Sequence, residues 1–197
     1  ANPDVPTASI TALLARAQAG DTIKIPAGVY TDAANGGHET FPLQMKAGVS
    51  LVGESAKNSI IYSNGFRLNV VEGDSADISI ENLTIESTDG WPIWIDAMSS
   101  PGGAVVKNCI IKGLGGILVK NDVAITVDSC TVFARDGHVS LSGSSGTNTL
   151  KATVSNSILT GTGPTQTTGE AAISGGNGDS LTIFGVTITN MYENFQV

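Results

Sequence analysis

The side chains best suited to recognition chemistry lie in one short segment. "DGWPIWID" (89–96) holds Trp91 and Trp94 three residues apart, in a chain that is only 5% aromatic. If 93–96 is a strand, alternation sends Ile93 and Ile95 one way and Trp94 with Asp96 the other. With the isoleucines inside, an indole and a carboxylate share the outer surface. The indole offers an apolar face to a sugar ring or a partner, and the carboxylate accepts hydrogen bonds. Trp91, Trp94 and Asp96 are therefore the candidate ligand-binding residues. The competing reading is that the two indoles cover a loop or fill a wide coil.

Other chemistry finds less support. Asp77, Asp96, Asp122 and Asp128 recur along the chain but share no single repeat position, so no catalytic carboxylate pair is assigned. The Asp-rich stretch at 70–77, which contains "VEGDSAD", could supply oxygen ligands to calcium, although a solvated loop is the simpler reading. His38 in "NGGHET" has no metal-ligating neighbour in the sequence. The two cysteines, Cys109 and Cys130, lack any zinc spacing, and no metal or cofactor is assigned. A net charge of −8 without a Lys/Arg cluster argues against nucleic acid. No apolar run approaches the roughly 20 residues that span a bilayer as a helix. The opening "ANPDVPT" lacks Met, as expected of a mature chain after leader removal or of a trimmed one.

These residues are positioned by a repeat. "IENLTI" (80–85), "VKNCII" (106–111), "VDSCTV" (127–132), "VSNSIL" (154–159) and "IFGVTI" (183–188) share one pattern, with a weaker copy, "AKNSII", at 56–61. Aligned on the third position, the copies place Asn58, Asn82, Asn108, Ser129, Asn156 and Gly185 in one column. Apolar residues alternate on both sides of that column, but the phase slips across it. A one-residue bend restores inward pointing, and Asn and Gly tolerate the left-handed backbone such a bend needs. Two short strands and a bend, repeated at a loose period of 21–29 residues, describe a coil of a parallel β-helix. Coils stack at about 4.8 Å, so equivalent residues form ladders.

The predicted interior ladders are Ile80–Val106–Val127–Val154–Ile183 and Ile85–Ile111–Val132–Leu159–Ile188. The Asn column should form a turn ladder whose side chains bond along the axis. Cys109 and Cys130 stack in successive coils and are read as free, packed thiols, because parallel Cβ vectors suit a disulfide poorly. Glu81–Lys107–Asp128 should make an alternating charge row outside.

The start of the chain differs. "SITALLARAQAG" (9–20) places Ile10, Leu13, Leu14 and Ala17 on one helical face, with Thr7 or Ser9 as cap and Gly20 as stop. Such a helix can close the first coil, whose strands would otherwise present free edges. A strand at Thr22–Ile25 and another at Val29–Tyr30 should follow. "SITALLARAQAGDTIKIPAGVYT", then "ETFPLQMKAGVSLVGES", resembles the N-terminal coils of the pectin-lyase-like superfamily of right-handed parallel β-helices, in particular its bacterial and archaeal surface-protein members.

That resemblance implies an all-β solenoid of about six or seven coils with an N-terminal capping helix. In one domain, 1–7 would be an extended segment, 8–19 the cap, 21–190 the coils and 191–197 a tail. Enzymes of the superfamily act on polysaccharides. Their hydrolase motifs (Asn-Thr-Asp, Asp-Asp, Gly-His-Gly, Arg-Ile-Lys) do not occur in this sequence; "RDGH" at 135–138 departs from all of them. The expectation is thus a non-catalytic extracellular or cell-surface module, structural or adhesive. It would associate with itself or with neighbouring domains, stacking head to tail through Asn2, Pro3, Val5, Tyr192, Phe195 and Val197. The alternative is a carbohydrate-active enzyme or a carbohydrate-binding module using Trp91, Trp94 and Asp96, with polysaccharide as partner. Ice binding would need a flat threonine array, and Thr153, Thr182 and Thr187 do not align into one.

Overall fold

The structure is a computed structural model. It describes residues 9–64, 71–73, 77–96, 102–120, 123–134, 139–142, 151–161, 171–174, 180–190 and 193–196. The chain winds as a parallel β-helix through three sheets of seven strands each. The first sheet runs from Thr22–Ile25 to Ser180–Phe184, the second from Gly28–Tyr30 to Thr187–Thr189, and the third from Leu43–Met45 to Glu193–Gln196. Each strand's sheet neighbour belongs to the next coil, so nearly all pairing is long-range in sequence and parallel.

The predicted ladders are present in register. In the first sheet Ile80 pairs with Val106, Val106 with Val127, Val127 with Val154 and Val154 with Ile183. In the second, Ile85, Ile111, Val132, Leu159 and Ile188 follow one another. The inner members of both ladders are fully buried. Burying one such side chain contributes about 1.5–3 kcal/mol, so the ladders hold the fold together.

Asn82, Asn108, Ser129, Asn156 and Gly185 have φ between 49° and 63°, the left-handed bend that the phase slip demands. Backbone bonds run along this ladder. Asn82 N donates to Lys107 O, Asn108 N to Asp128 O, Ser129 N to Ser155 O and Asn156 N to Phe184 O, each at 3.1 Å. Asn58 does not join the ladder. Residues 54–58 make a longer connection between Ser50–Gly53 and Ser59–Ser63, and Asn58 lacks the left-handed φ. The alignment at 56–61 is true only after the turn: Ile61 meets Ile85, but it is Leu51 that meets Ile80.

The cap helix, α1 (Ile10–Arg16), is shorter than the expected 8–19, and Ser9 caps it by accepting from Ala12 N at 3.0 Å. Ile10, Leu14 and Ala17 close the core at the first coil. Two charges brought from the third side of that coil grip its ends. The Glu39 carboxylate, only 6% exposed, accepts from Ile10 N at 2.8 Å, Thr11 N at 2.8 Å and Thr11 Oγ1 at 2.7 Å. Lys46 Nζ donates to Ala15 O at 2.7 Å and Ala17 O at 3.2 Å. The anion lies at the N-terminus and the cation at the C-terminus, both matched to the helix dipole and to its unpaired backbone groups.

At the far end, the residues expected as a tail partly enter the fold: Glu193–Gln196 pairs with Ala171–Ser174 as the terminal strand of the third sheet. The tail reading failed because a four-residue strand is too short for alternation to show. Asn2, Pro3, Val5, Tyr192 and Val197 lie outside the described residues, as do 135–138, Asp122 and, within 70–77, residues 70 and 74–76. No helix among the described residues is long and apolar enough to cross a membrane.

Candidate functional site

The outer face of the third sheet carries the candidate site. Ile93 and Ile95 are 0% and 1% exposed, so Trp94 and Asp96 project outward, as the alternation predicts. Register then builds a row along the solenoid axis: Gln44 beside Glu72, Glu72 beside Trp94, Trp94 beside Leu118. Ser140 follows Leu118 in the same register. A second, shorter row sets Asp96 beside Lys120. Two carboxylates, an indole, an ammonium and an amide thus meet on one pleated surface, from segments that span residues 44 to 120, and Leu118 in the same row is buried.

The contacts are specific. Gln44 Nε2 donates to Glu72 Oε2 at 3.0 Å. Lys120 Nζ sits over one face of the Trp94 ring, 4.2 Å from its centroid, in a cation–π contact. Trp94 is half-buried. Trp91 has a different place. Its indole covers Gly115 so closely that a Cβ there would lie 2.4–2.5 Å from three of its ring carbons. Pro92 covers Gly113 in the same way, with a Cβ-to-Cδ approach of 2.5 Å. For Trp91 the packing reading therefore holds: it seals the corner leading to Ile117–Lys120 and stands apart from the Trp94 row. Glu72, Lys120 and Gln44 were missed in the sequence because they join Trp94 only through register between coils.

Two further clusters were legible. The Glu81–Lys107–Asp128 row exists in register on the first sheet. Asp128 accepts from Ser155 Oγ at 2.6 Å, Asn156 Nδ2 at 2.9 Å and Ser129 Oγ at 3.2 Å. The Ser155 and Asn156 bonds hold its carboxyl below the usual aspartate value. Cys109 and Cys130 are free and buried. The Cys109 Sγ lies 3.2 Å from Lys107 O and that of Cys130 3.3 Å from Asp128 O. Its hydrogen bond with Cys130, and then burial, push the Cys109 thiol well above its ordinary value. Such a thiol is inert packing rather than a nucleophile. Thr153 and Thr182 do stack, with Thr126 before them, because all three stand two residues before the one that precedes the bend. Thr187 belongs to the second sheet.

The coils and their ladders define a parallel β-helix. A pectin methylesterase from Yersinia enterocolitica has a similar structure, with a TM-score of 0.63 at 16% identity; the match covers 85% of this chain and 59% of that one. This chain spans less than two thirds of that enzyme, and at such identity the likeness concerns the fold. No curated protein matches in sequence. The chain belongs to the DUF1565 family, described as a protein of unknown function, whose profile matches residues 2–138.

Proposed function

We propose that the chain is a carbohydrate-binding module of an extracellular or cell-surface protein, and that the row centred on Trp94 is its binding face. The observation that carries this reading is the outward indole flanked in register by Glu72 and Leu118, with Asp96 and Lys120 beside it. A pyranose presents C–H groups on its face and hydroxyls around its edge. The indole takes the former, and the carboxylates and amide take the latter. Two carboxylates against one ammonium, in a chain of net charge −8, favour neutral sugars over polyuronates.

The test is a panel of neutral and acidic soluble polysaccharides, read by affinity electrophoresis and by tryptophan fluorescence. Binding to a neutral glycan that falls at least tenfold in Trp94→Ala, with an unchanged circular dichroism spectrum, is the expected result. Binding indifferent to Trp94→Ala, or a preference for polyuronate, would overturn the reading.

A further inference from the structure

The outward face of the second sheet is the least charged of the three. The only charged residues in its strands are Glu86 and Lys112. They stand in successive coils, in register, and bond to each other at 3.5 Å. Register sets two outward rows along the solenoid axis. One runs through Val29, Ile60, Thr84, Ile110, Thr131 and Ile158, the other through Tyr62, Glu86, Lys112, Phe133 and Thr160. Val29, Phe133 and Ile158 are 44%, 43% and 47% exposed. Ile60, Tyr62 and Ile110 are half-buried. A continuous apolar surface of this kind marks a contact site.

The geometry points to a second copy of this chain as the occupant, laid side by side with the two second sheets face to face. A two-fold axis parallel to the strands reverses the order of the coils and keeps each residue at its level along the strand. Through the coil of Glu86, or through that of Lys112, such an axis would set a charge against its own copy. Midway between those coils it sets Glu86 against Lys112 of the other copy, and Lys112 against Glu86. The same axis brings Val29 opposite Ile158, Ile60 opposite Thr131 and Tyr62 opposite Phe133. Charge and apolar exposure thus select one register independently, and the most exposed apolar side chains cover one another in it. Such an isologous contact closes at two copies.

The seam lies along the side of the solenoid and runs from Gly28–Tyr30 to Ile158–Thr160. Strand spacings of about 4.8 Å make it roughly 25 Å long. That is small for a specific interface, so pairing should be reversible and should grow with concentration. The chain's net charge of −8 has no counterpart in the strands of the seam, where Glu86 and Lys112 balance. The Trp94 row, on the third sheet, stays outside the contact. If that row binds sugar as proposed above, the dimer presents two of them and offers bivalent attachment to a polymer.

The experiment is sedimentation equilibrium from micromolar to millimolar concentration. The expected species has twice the 20.1 kDa mass of one chain and does not grow further. Glu86→Lys and Lys112→Glu should each weaken pairing about tenfold, because each sets like charges across the seam. Mixed together, the two variants should pair with each other as well as the parent chain does, since every opposed pair is then of opposite sign. No effect within one chain produces that recovery. Phe133→Asn should weaken pairing about tenfold, while Val105→Lys, on the first sheet, should leave it unchanged. A monomer at every concentration, growth beyond two copies, a mixture that fails to pair, or pairing indifferent to Phe133→Asn would each overturn the proposal. The mass readout is independent of sugar binding, so either reading can fail alone.

Discussion

Removing the Glu39 carboxylate should release the N-terminal cap and leave the remaining coils intact. Glu39 accepts two backbone bonds at 2.8 Å and one hydroxyl bond at 2.7 Å, at a site where it is itself 6% exposed. A hydrogen bond to a charged group contributes about 1.5–3 kcal/mol, and a buried N–H left unpaired costs a comparable amount. In Glu39→Ala, Ile10 N is buried and loses its carboxylate partner, whereas water can reach part of Thr11. The net cost is about 3 kcal/mol, close to one buried charge-assisted bond plus part of another. Glu39→Gln keeps one acceptor oxygen and loses the charge at the helix N-terminus, so about 1 kcal/mol is expected.

Each coil touches only its neighbours, so this loss should appear as local opening rather than as global unfolding. Hydrogen exchange reads it directly. Amides of α1 and of Thr22–Ile25 should exchange roughly a hundredfold faster in Glu39→Ala, at about 1.4 kcal/mol per factor of ten. Amides of Val123–Asp128 should not change. An unchanged α1 in Glu39→Ala would show that the carboxylate does not hold the cap. Acceleration spread evenly over all coils would refute the local picture.

The remaining predictions concern the ladders and the row around Trp94. Asp128 has its folded pKa lowered by Ser155 and Asn156, so its contribution to stability is present above the ordinary aspartate value and is lost as pH falls through the depressed one; in Asp128→Asn, acid titration followed by circular dichroism should show a weaker dependence on pH below about 4. Gly185→Ala should destabilise the last coil by about 1–2 kcal/mol, because φ is +63° and an added Cβ would lie 2.9 Å from Asn156 Oδ1; urea titration checks this. Gly115→Ala forces the indole of Trp91 off the corner and should redshift tryptophan emission and cost about 1–3 kcal/mol; unchanged emission would contradict the packing assigned to Trp91. Cys109 and Cys130 should resist a thiol reagent at neutral pH until denaturant is added, because burial keeps the reagent from both.

Much of the coil was legible because its grammar is local. A left-handed bend selects Asn, Ser or Gly whatever lies around it, and inward side chains must be apolar at a period of two. Hence Asn82, Asn108, Asn156 and the ladders through Ile80 and Ile85 were visible in one dimension, and so was the outward place of Trp94. Where a coil departed from the grammar, legibility stopped. Residues 54–58 replace the one-residue bend, and Asn58 was drawn into a ladder it does not join. Glu193–Gln196 is too short to declare itself by pattern and was read as a tail.

What the sequence by itself determined, then, is the repeating unit: where the chain bends, which side chains face inward, and that successive units stack. The reason is that each choice is enforced by backbone sterics or burial within a few residues. Only the tertiary structure decided what stacks beside what. Glu39 reaches the helix across 28–29 positions, Lys46 holds its other end, and Glu72 and Lys120 meet Trp94 because register between coils depends on the length of every loop between them. The candidate site and the fastening of the cap belong to that second level, since neither exists within any single coil.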